Sequence, residues 1–196
     1  IMGTGKIDLI EAELIANKVI NHITPGMTRC EIAGSVRRRK SVVGDIEIVG
    51  IPDDQQKIVK LLHDVGQTIK PGIPDIIPWS PKPGAKYIRV RLNEGMNLDL
   101  FLANPDNWGG LFLMRTGSAA GPDGNSFNGF IPRAFSRWKK ISKGGRMTDA
   151  MPTLPTGEQL PVPEEIDFFN LLEMNFVPPE ERIDHKAIKK YSKINQ

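Results

Sequence analysis

Two acidic residues separated by one position, in Gly44-Asp45-Ile46-Glu47-Ile48-Val49, are the first candidates for chemistry in this chain. The segment alternates with period two, as a half-buried strand does, and alternate strand residues share a side. Asp45 and Glu47 are therefore expected to project together while Ile46 and Ile48 turn to the core. Asp99, between Leu98 and Leu100, follows the same rule in a second strand-like run. Three carboxylates converging from paired strands repel one another unless cations neutralise them. Mg²⁺, with its preference for carboxylate and phosphate oxygens, suits such a set, and Mn²⁺ is the alternative. Two such ions about 4 Å apart activate a hydroxyl and stabilise a departing pyrophosphate. The plain alternative for an Asp-x-Glu strand is a solvated sheet face.

The residues upstream favour the catalytic reading. Gly34-Ser35 ends a preceding strand-like run, and Gly44 stands immediately before Asp45. Glycine allows close backbone approach, and exposed amides with a serine hydroxyl can hold a phosphate. Arg37 and Arg38 add charge suited to a triphosphate. A phosphate cradle beside a metal site is a layout for nucleotidyl transfer.

Elements must place these groups. Apolar residues at helical spacing (Ile7, Ile10, Leu14, then Ile15, Val19, Ile23) predict a helix over Lys6 to Ile23, stopped by Thr24-Pro25-Gly26. Strands are expected at Thr28–Ala33, Asp45–Val49, Tyr87–Leu92 and Asn97–Ala103, the last two joined by a turn at Gly95. A helix over Asp53–Val65, capped by Asp53, would bury Ile58, Leu61, Leu62 and Val65. The proline-rich stretch from Pro71 to Gly84 reads as a loop. After Asn104-Pro105-Asp106 the character changes: helices are expected at Trp108–Met114, Phe127–Trp138 and, with Pro163 in its first turn, Pro163–Met174. The fold class is thus α+β, a mixed sheet packed with helices (residues 1–105) followed by a small, mainly helical C-terminal subdomain (106–196).

Composition narrows the setting. The 196 residues carry a net charge of only +3, so any polyanion partner must be argued from distribution. Arg37 to Lys40 are consecutive, Arg133 to Arg146 hold six cations and no acid, and Lys186, Lys189, Lys190 and Lys193 close the chain. Each run alone reads as a solvated face; together they favour nucleic acid. No apolar run reaches the roughly 20 residues needed to span a bilayer. The N-terminus lacks the layout of a signal peptide, so a cytoplasmic monomer is the expectation. Cys30 is the sole cysteine, which excludes an internal disulfide and a thiolate zinc cluster; it reads as a small core residue. His22, His63 and His185 have no ligand spacing and read as structural or solvated.

Gly34-Ser35-Val36-Arg37-Arg38 followed by Gly44-Asp45-Ile46-Glu47 resembles the nucleotidyltransferase signature as found in family X DNA polymerases, the DNA polymerase β type. Thr116-Gly117-Ser118 with Phe127-Asn128 is similar to a second segment of that family. Gly157 to Val162, Glu164 to Phe169 and Pro178 to Arg182 are similar, in order, to its C-terminal subdomain. The resemblance runs from about Lys6 to Arg182. It implies a nucleotidyltransferase palm, with Asp45, Glu47 and Asp99 as catalytic metal ligands and Asp99 beside the primer hydroxyl. It also implies nucleotide contacts by Gly34, Ser35, Arg38, Gly44, Gly117 and Asn128. Arg133 lies one position from a template-contacting arginine, and DNA grip falls to the basic runs Arg133–Arg146, with Arg137, Lys139, Lys140 and Lys143, and Lys186–Lys193.

The implied activity is template-directed addition of a nucleotide from a dNTP to a primer 3′-hydroxyl, in gap-filling repair of DNA. A template-independent transferase acting on an RNA end, a small molecule or a protein is the alternative, and a non-catalytic nucleic-acid binder a third. The chain departs from the family at Glu47, where aspartate is usual, and at Met114-Arg115, where an aromatic pair is common. Six extra residues, Gly121 to Ser126, form either a lid or a tolerated surface loop. No lyase domain precedes the palm, so removal of a 5′ sugar-phosphate is not expected. That compact layout is similar to viral members; bacterial origin also fits, and a nuclear setting stays open. Trp138, among Arg137, Lys139 and Lys140, either packs within its own helix's surroundings or stacks on a base.

Overall fold

The computed structural model describes residues 6–70, 72 and 79–193. The chain divides into two compact units, Ile1–Asn104 and Pro105–Gln196. It is α+β, with a five-stranded mixed sheet packed with helices in the first unit.

The first unit opens with a two-residue strand, β1 (Ile7–Asp8), then α1 (Leu9–Ile23) and β2 (Met27–Ile32). One turn of helix, α2 (Gly34–Arg37), leads to β3 (Val42–Val43) and β4 (Ile46–Pro52). Next come α3 (Gln55–Val65), β5 (Gly66–Ile69), β6 (Tyr87–Leu92) and β7 (Asn97–Leu102). The sheet order is β2-β4-β7-β6-β5; β4 and β7 run parallel and the other neighbours antiparallel. Gly95, at φ +84°, turns β6 into β7, a backbone conformation glycine adopts without strain.

Helix α1 starts later than the periodicity suggests. Asp8 caps it, accepting from the Glu11 amide at 2.9 Å, and β1 pairs with β3. The buried face also differs from expectation. It runs through Ala12, Ile15, Ala16, Val19 and Ile23, leaving Ile10 and Leu14 72% and 68% exposed. Ala12 and Ala16 lie on the buried face, and Ile10 and Leu14 are rotated off it.

Helix α3 is capped by Asp54 rather than Asp53; Asp53 instead accepts from the Thr28 hydroxyl. Strand β5, not expected from sequence, exists by pairing with β6. Part of the expected Pro71–Gly84 loop, namely 71 and 73–78, lies outside the described residues. The rest is irregular and anchored where Gly84 donates to Gln55 Oε1 at 2.7 Å. One sheet face carries Ile46, Ile48, Ile88, Val90, Leu98 and Leu100, all fully buried. Each such side chain contributes about 1.5–3 kcal/mol by leaving water.

The second unit contains α4 (Trp108–Thr116), α5 (Phe130–Ile141), the hairpin β8 (Arg146–Thr148) and β9 (Met151–Thr153), α6 (Glu165–Leu171) and α7 (His185–Lys190). A single 3-10 turn, Ser126–Asn128, precedes α5, so the helix begins later than expected. Pro163 lies outside α6; Glu164 is its N-cap, in a capping box with Asp167. Phe130, Trp138, Phe168 and Phe169 build the core. Trp138 is 3% exposed and donates Nε1 to the Arg146 carbonyl at 3.1 Å, so it packs and is closed to base stacking. At the centre of this unit Arg182, fully buried, bonds Glu165 through Nη1 and Nη2, and Nε donates to the Val177 carbonyl at 2.9 Å. Its guanidinium sits 5.2 and 5.1 Å from the ring centroids of Phe169 and Phe176.

Candidate active site

Parallel pairing of β4 and β7 sets Glu47 opposite Asp99. Antiparallel pairing of β6 and β7 sets Arg89 opposite the same Asp99. Glu47, Asp99 and Arg89 thus form one row across three adjacent strands, on the face away from the Ile46–Leu98–Val90 core. Asp45, two residues before Glu47, sits at the bend that enters β4.

Asp99 is 5% exposed and fully engaged. Arg89 donates Nε to Oδ1 at 2.6 Å and Nη2 to Oδ2 at 2.7 Å. The Tyr87 hydroxyl donates to Oδ1 at 2.7 Å, and the Tyr87 ring stacks on Phe101 with centroids 5.0 Å apart. The hydrogen bond to Asp99 holds the Arg89 guanidinium above the usual arginine range. Burial, then the bond to Asp99 and its charge, pushes the Tyr87 phenol up as well. Asp45 is raised above the ordinary carboxylate value by burial and then by the charge of Asp99; Arg89 and Arg38 oppose the shift. Arg38 is half-buried and lowered by that burial, with Glu47 and then Asp45 supplying compensating charge. Carboxylates and guanidiniums therefore interleave: Arg38 with Glu47 and Asp45, Arg89 with Asp99.

The glycine of Gly34-Ser35 has a structural duty to this row. Gly34 has φ +61°, and a β-carbon there would lie 2.9 Å from Glu47 Cβ and overlap its carboxylate. The bare α-carbon admits Glu47, the longer of the two strand acids. Within α2 the Arg37 and Arg38 amides donate to the carbonyls of Ala33 and Gly34. The Ser35 and Val36 amides precede those bonds, in the first turn, where a helix leaves its donors to other partners. A β-carbon on Gly44 would meet open space.

The donor set suits a hard divalent ion, being three carboxylates on and beside adjacent strands. Among the described residues, however, no group of three or more His, Cys, Asp or Glu side chains is gathered to hold a metal. Both Asp99 oxygens face Arg89 and Tyr87, and Glu47 lies over Gly34. Arg89 supplies the positive charge that the buried carboxylate requires.

The remaining sequence-derived positions lie in the second unit. Gly117 closes α4, and a β-carbon on it would run into Phe130 and Ile131, so close packing demands this glycine. Asn128 donates Nδ2 to Asp123 at 2.8 Å. The six-residue insertion is tied down locally: Gly121 donates to the Asn125 carbonyl, Asn125 to Asp123, and Phe127 to the Asn125 side chain. It holds Asn128 in place. Arg133, Lys139, Lys140 and Lys143 are exposed. Arg137 is half-buried and spends donors on the carbonyls of Leu172 and Glu173 and on Ser192 Oγ.

Tyr87 and Arg89 were not singled out from sequence. The alternation of β6 put them opposite Ile88 and Val90, but only strand register brings them to Asp99. A scan against protein-family models finds no match for this chain, and a search of curated proteins finds no significant relative.

Proposed function

We propose that the chain is a nucleotidyltransferase of the DNA polymerase β type that extends a primer 3′-hydroxyl with a deoxynucleotide opposite a template. The observation that carries the reading is the pairing of Glu47 with Asp99 on neighbouring parallel strands, with Asp45 two residues from Glu47 and Gly34 packed on it. Carboxylates at directly paired positions, beside a glycine-serine turn and a half-buried arginine, suit phosphoryl chemistry better than a solvated sheet face does.

The primer 3′-oxygen forms a bond to the α-phosphorus of a dNTP, the α–β bridging bond breaks, and pyrophosphate leaves. Asp99 accepts the hydroxyl proton once Arg89 has turned away from it. Ser35 and Arg38 bind phosphate oxygens, and Gly44 leaves room for them to approach. Asp45, Glu47 and Asp99 are the residues that would hold divalent cations, which would supply hydroxyl activation and neutralisation of the leaving group. What the protein adds is position and electrostatics, the main sources of rate enhancement in phosphoryl transfer.

The test is primer extension on a gapped template with Mg²⁺ or Mn²⁺ and each dNTP singly. Addition of the complementary nucleotide alone is expected. Indiscriminate addition would move the chain to the template-independent class, and no product with either metal would remove the enzymatic reading. Asp99→Ala is expected to abolish addition while sparing DNA binding.

A further inference from the structure

Asn128 is held between two partners of opposite hydrogen-bonding character. Its Nδ2 donates to Asp123 Oδ2 at 2.8 Å, and its Oδ1 accepts a longer contact from Arg133 Nη2 at 3.5 Å. An ionised carboxylate only accepts and a guanidinium only donates, so both partners select the same one of the amide's two flipped orientations. Asp123 is held in turn by the Asn125 amide, which donates to Oδ1 at 2.9 Å. That bond first, and the one from Asn128 second, keep the Asp123 carboxyl below the usual carboxylate range, so it is an ionised acceptor at neutral pH. The approach is close: a β-carbon on Gly121 would lie 2.8 Å from Asn128 Cβ and 2.9 Å from Asp123 Oδ1. The loop is also closed at its base, where the Ile131 amide donates to the Ser118 carbonyl at 3.0 Å and Gly129 packs on the Ala119 backbone. Asp123 lies among the six extra residues that set this chain apart from the resembled family.

We infer that Asp123 is a positioning residue for nucleobase recognition: by taking one N–H of Asn128 it sets which hydrogen-bonding groups of that amide face a bound base. The inference rests on the nucleotide-binding reading of Asn128 for the ligand, and on the geometry of the loop for the role of Asp123. A free asparagine amide offers its donor and its acceptor in either order at similar cost. Base edges differ in that order. An amide that flips therefore suits a base in only part of its population, and one already fixed does not forfeit that fraction on binding. With one Nδ2 proton on Asp123 and one lone pair towards Arg133, the second proton and the second lone pair remain for a ligand. The charge of Asp123 also decides which part of a nucleotide lies here. An ionised carboxylate repels a triphosphate, so the group that meets Asn128 is the uncharged ring. Phe127, the preceding residue, is 76% exposed, an apolar surface that suits a ring and not a phosphate.

The test follows the Asn128 side-chain amide by NMR on the full chain, in Mg²⁺ and without primer, with each dNTP and with inorganic tripolyphosphate as a ligand lacking a base. The signal is assigned by its absence in Asn128→Ala. Asp123→Ala frees the amide, whereas Asn125→Ala loosens the same loop by removing the acceptor of the Phe127 amide and leaves Asp123 and Asn128 in place. In the wild type one Nδ2 proton is expected to exchange slowly with solvent, and a dNTP shifts the amide signal where tripolyphosphate does not. Asp123→Ala should abolish the slow exchange and weaken dNTP binding about 10-fold, the worth of one charge-assisted hydrogen bond. Tripolyphosphate binding does not weaken, and Asn125→Ala keeps most of the dNTP affinity. In primer extension the loss in Asp123→Ala appears in KM, with kcat held. Four results overturn the inference: fast exchange of both protons in the wild type, no shift of them by any dNTP, wild-type dNTP affinity in Asp123→Ala, or an equal loss in Asn125→Ala. Binding is read without primer, so a chain that shows the expected pattern yet extends no primer keeps the role of Asp123 and loses the polymerase reading. Primer extension by Asp123→Ala at the wild-type KM does the opposite.

Discussion

Arg89 grips Asp99 with two hydrogen bonds, 2.6 and 2.7 Å long, from the strand position directly opposite. The carboxylate proposed to accept the primer hydroxyl's proton is therefore occupied by a guanidinium, and a cation binding there would compete with Arg89. Arg89→Ala leaves Asp99 buried without its counter-charge. In EDTA the variant is expected to lose about 2–3 kcal/mol, the cost of breaking a buried pair discounted for the exposed side of Arg89. Mn²⁺ should then raise its melting temperature by more than it raises the wild type's. Equal Mn²⁺ shifts in the two proteins would show that Arg89 and the metal do not share Asp99.

Gly34 and Glu47 are coupled by contact. Gly34→Ala adds a β-carbon at φ +61° against the Glu47 side chain, and strain of this kind costs about 1–3 kcal/mol. Urea denaturation should show that loss, and primer extension should fall further than stability alone explains, because Glu47 is displaced. Activity retained at the wild-type level would mean that Glu47 need not lie where Gly34 admits it.

Arg182 and Glu165 form a bidentate pair in the core of the second unit. Arg182→Ala strands a buried carboxylate and is expected to cost about 3–5 kcal/mol, whereas replacing both partners with apolar residues should cost much less. Arg182→Lys restores charge but neither the fork nor the stacking between Phe169 and Phe176. It should recover only part of the loss in chemical denaturation. Full recovery with lysine would reduce the role of Arg182 to charge alone.

Cys30 offers a pH readout remote from the acidic row. Burial, then the charge of Glu31, pushes its thiol up to about 12. The folded protein therefore keeps a proton that the unfolded chain releases near pH 8.5–9. This contribution to stability is fully present below the unfolded value and is lost as pH rises from about 9 towards 12. Alkylation by iodoacetamide at pH 8 should be slow when folded and fast in urea. Rapid alkylation of the folded protein would contradict the burial.

Much of the local structure was legible in the residues. The alternation around Ile46 and Ile48 assigned Asp45 and Glu47 to the side away from the core, and that of Ile88, Val90 and Leu92 put Tyr87 and Arg89 on the opposite side, because side-chain direction along a strand depends only on the chain's own period. Boundaries were less legible. Asp53, the expected cap, instead accepts from the Thr28 hydroxyl of β2, and the next residue, Asp54, caps α3. Helix α1 offered two apolar stripes; packing took the one with Ala12 and Ala16 and left Ile10 and Leu14 in solvent.

By itself, then, the sequence determined the main helices and strands, the α+β class and the sides on which the acids stand, since each follows from short-range periodicity and turn chemistry. Strand β5, the β8–β9 hairpin and α7 were not legible in it. Tertiary structure alone decided that Glu47, Asp99 and Arg89 fall in one row, and that Arg182 meets Glu165 in the core of the second unit. Both outcomes depend on register between strands and packing between segments distant in sequence. No local pattern encodes those pairings, because their energy is realised only when the partner segments meet.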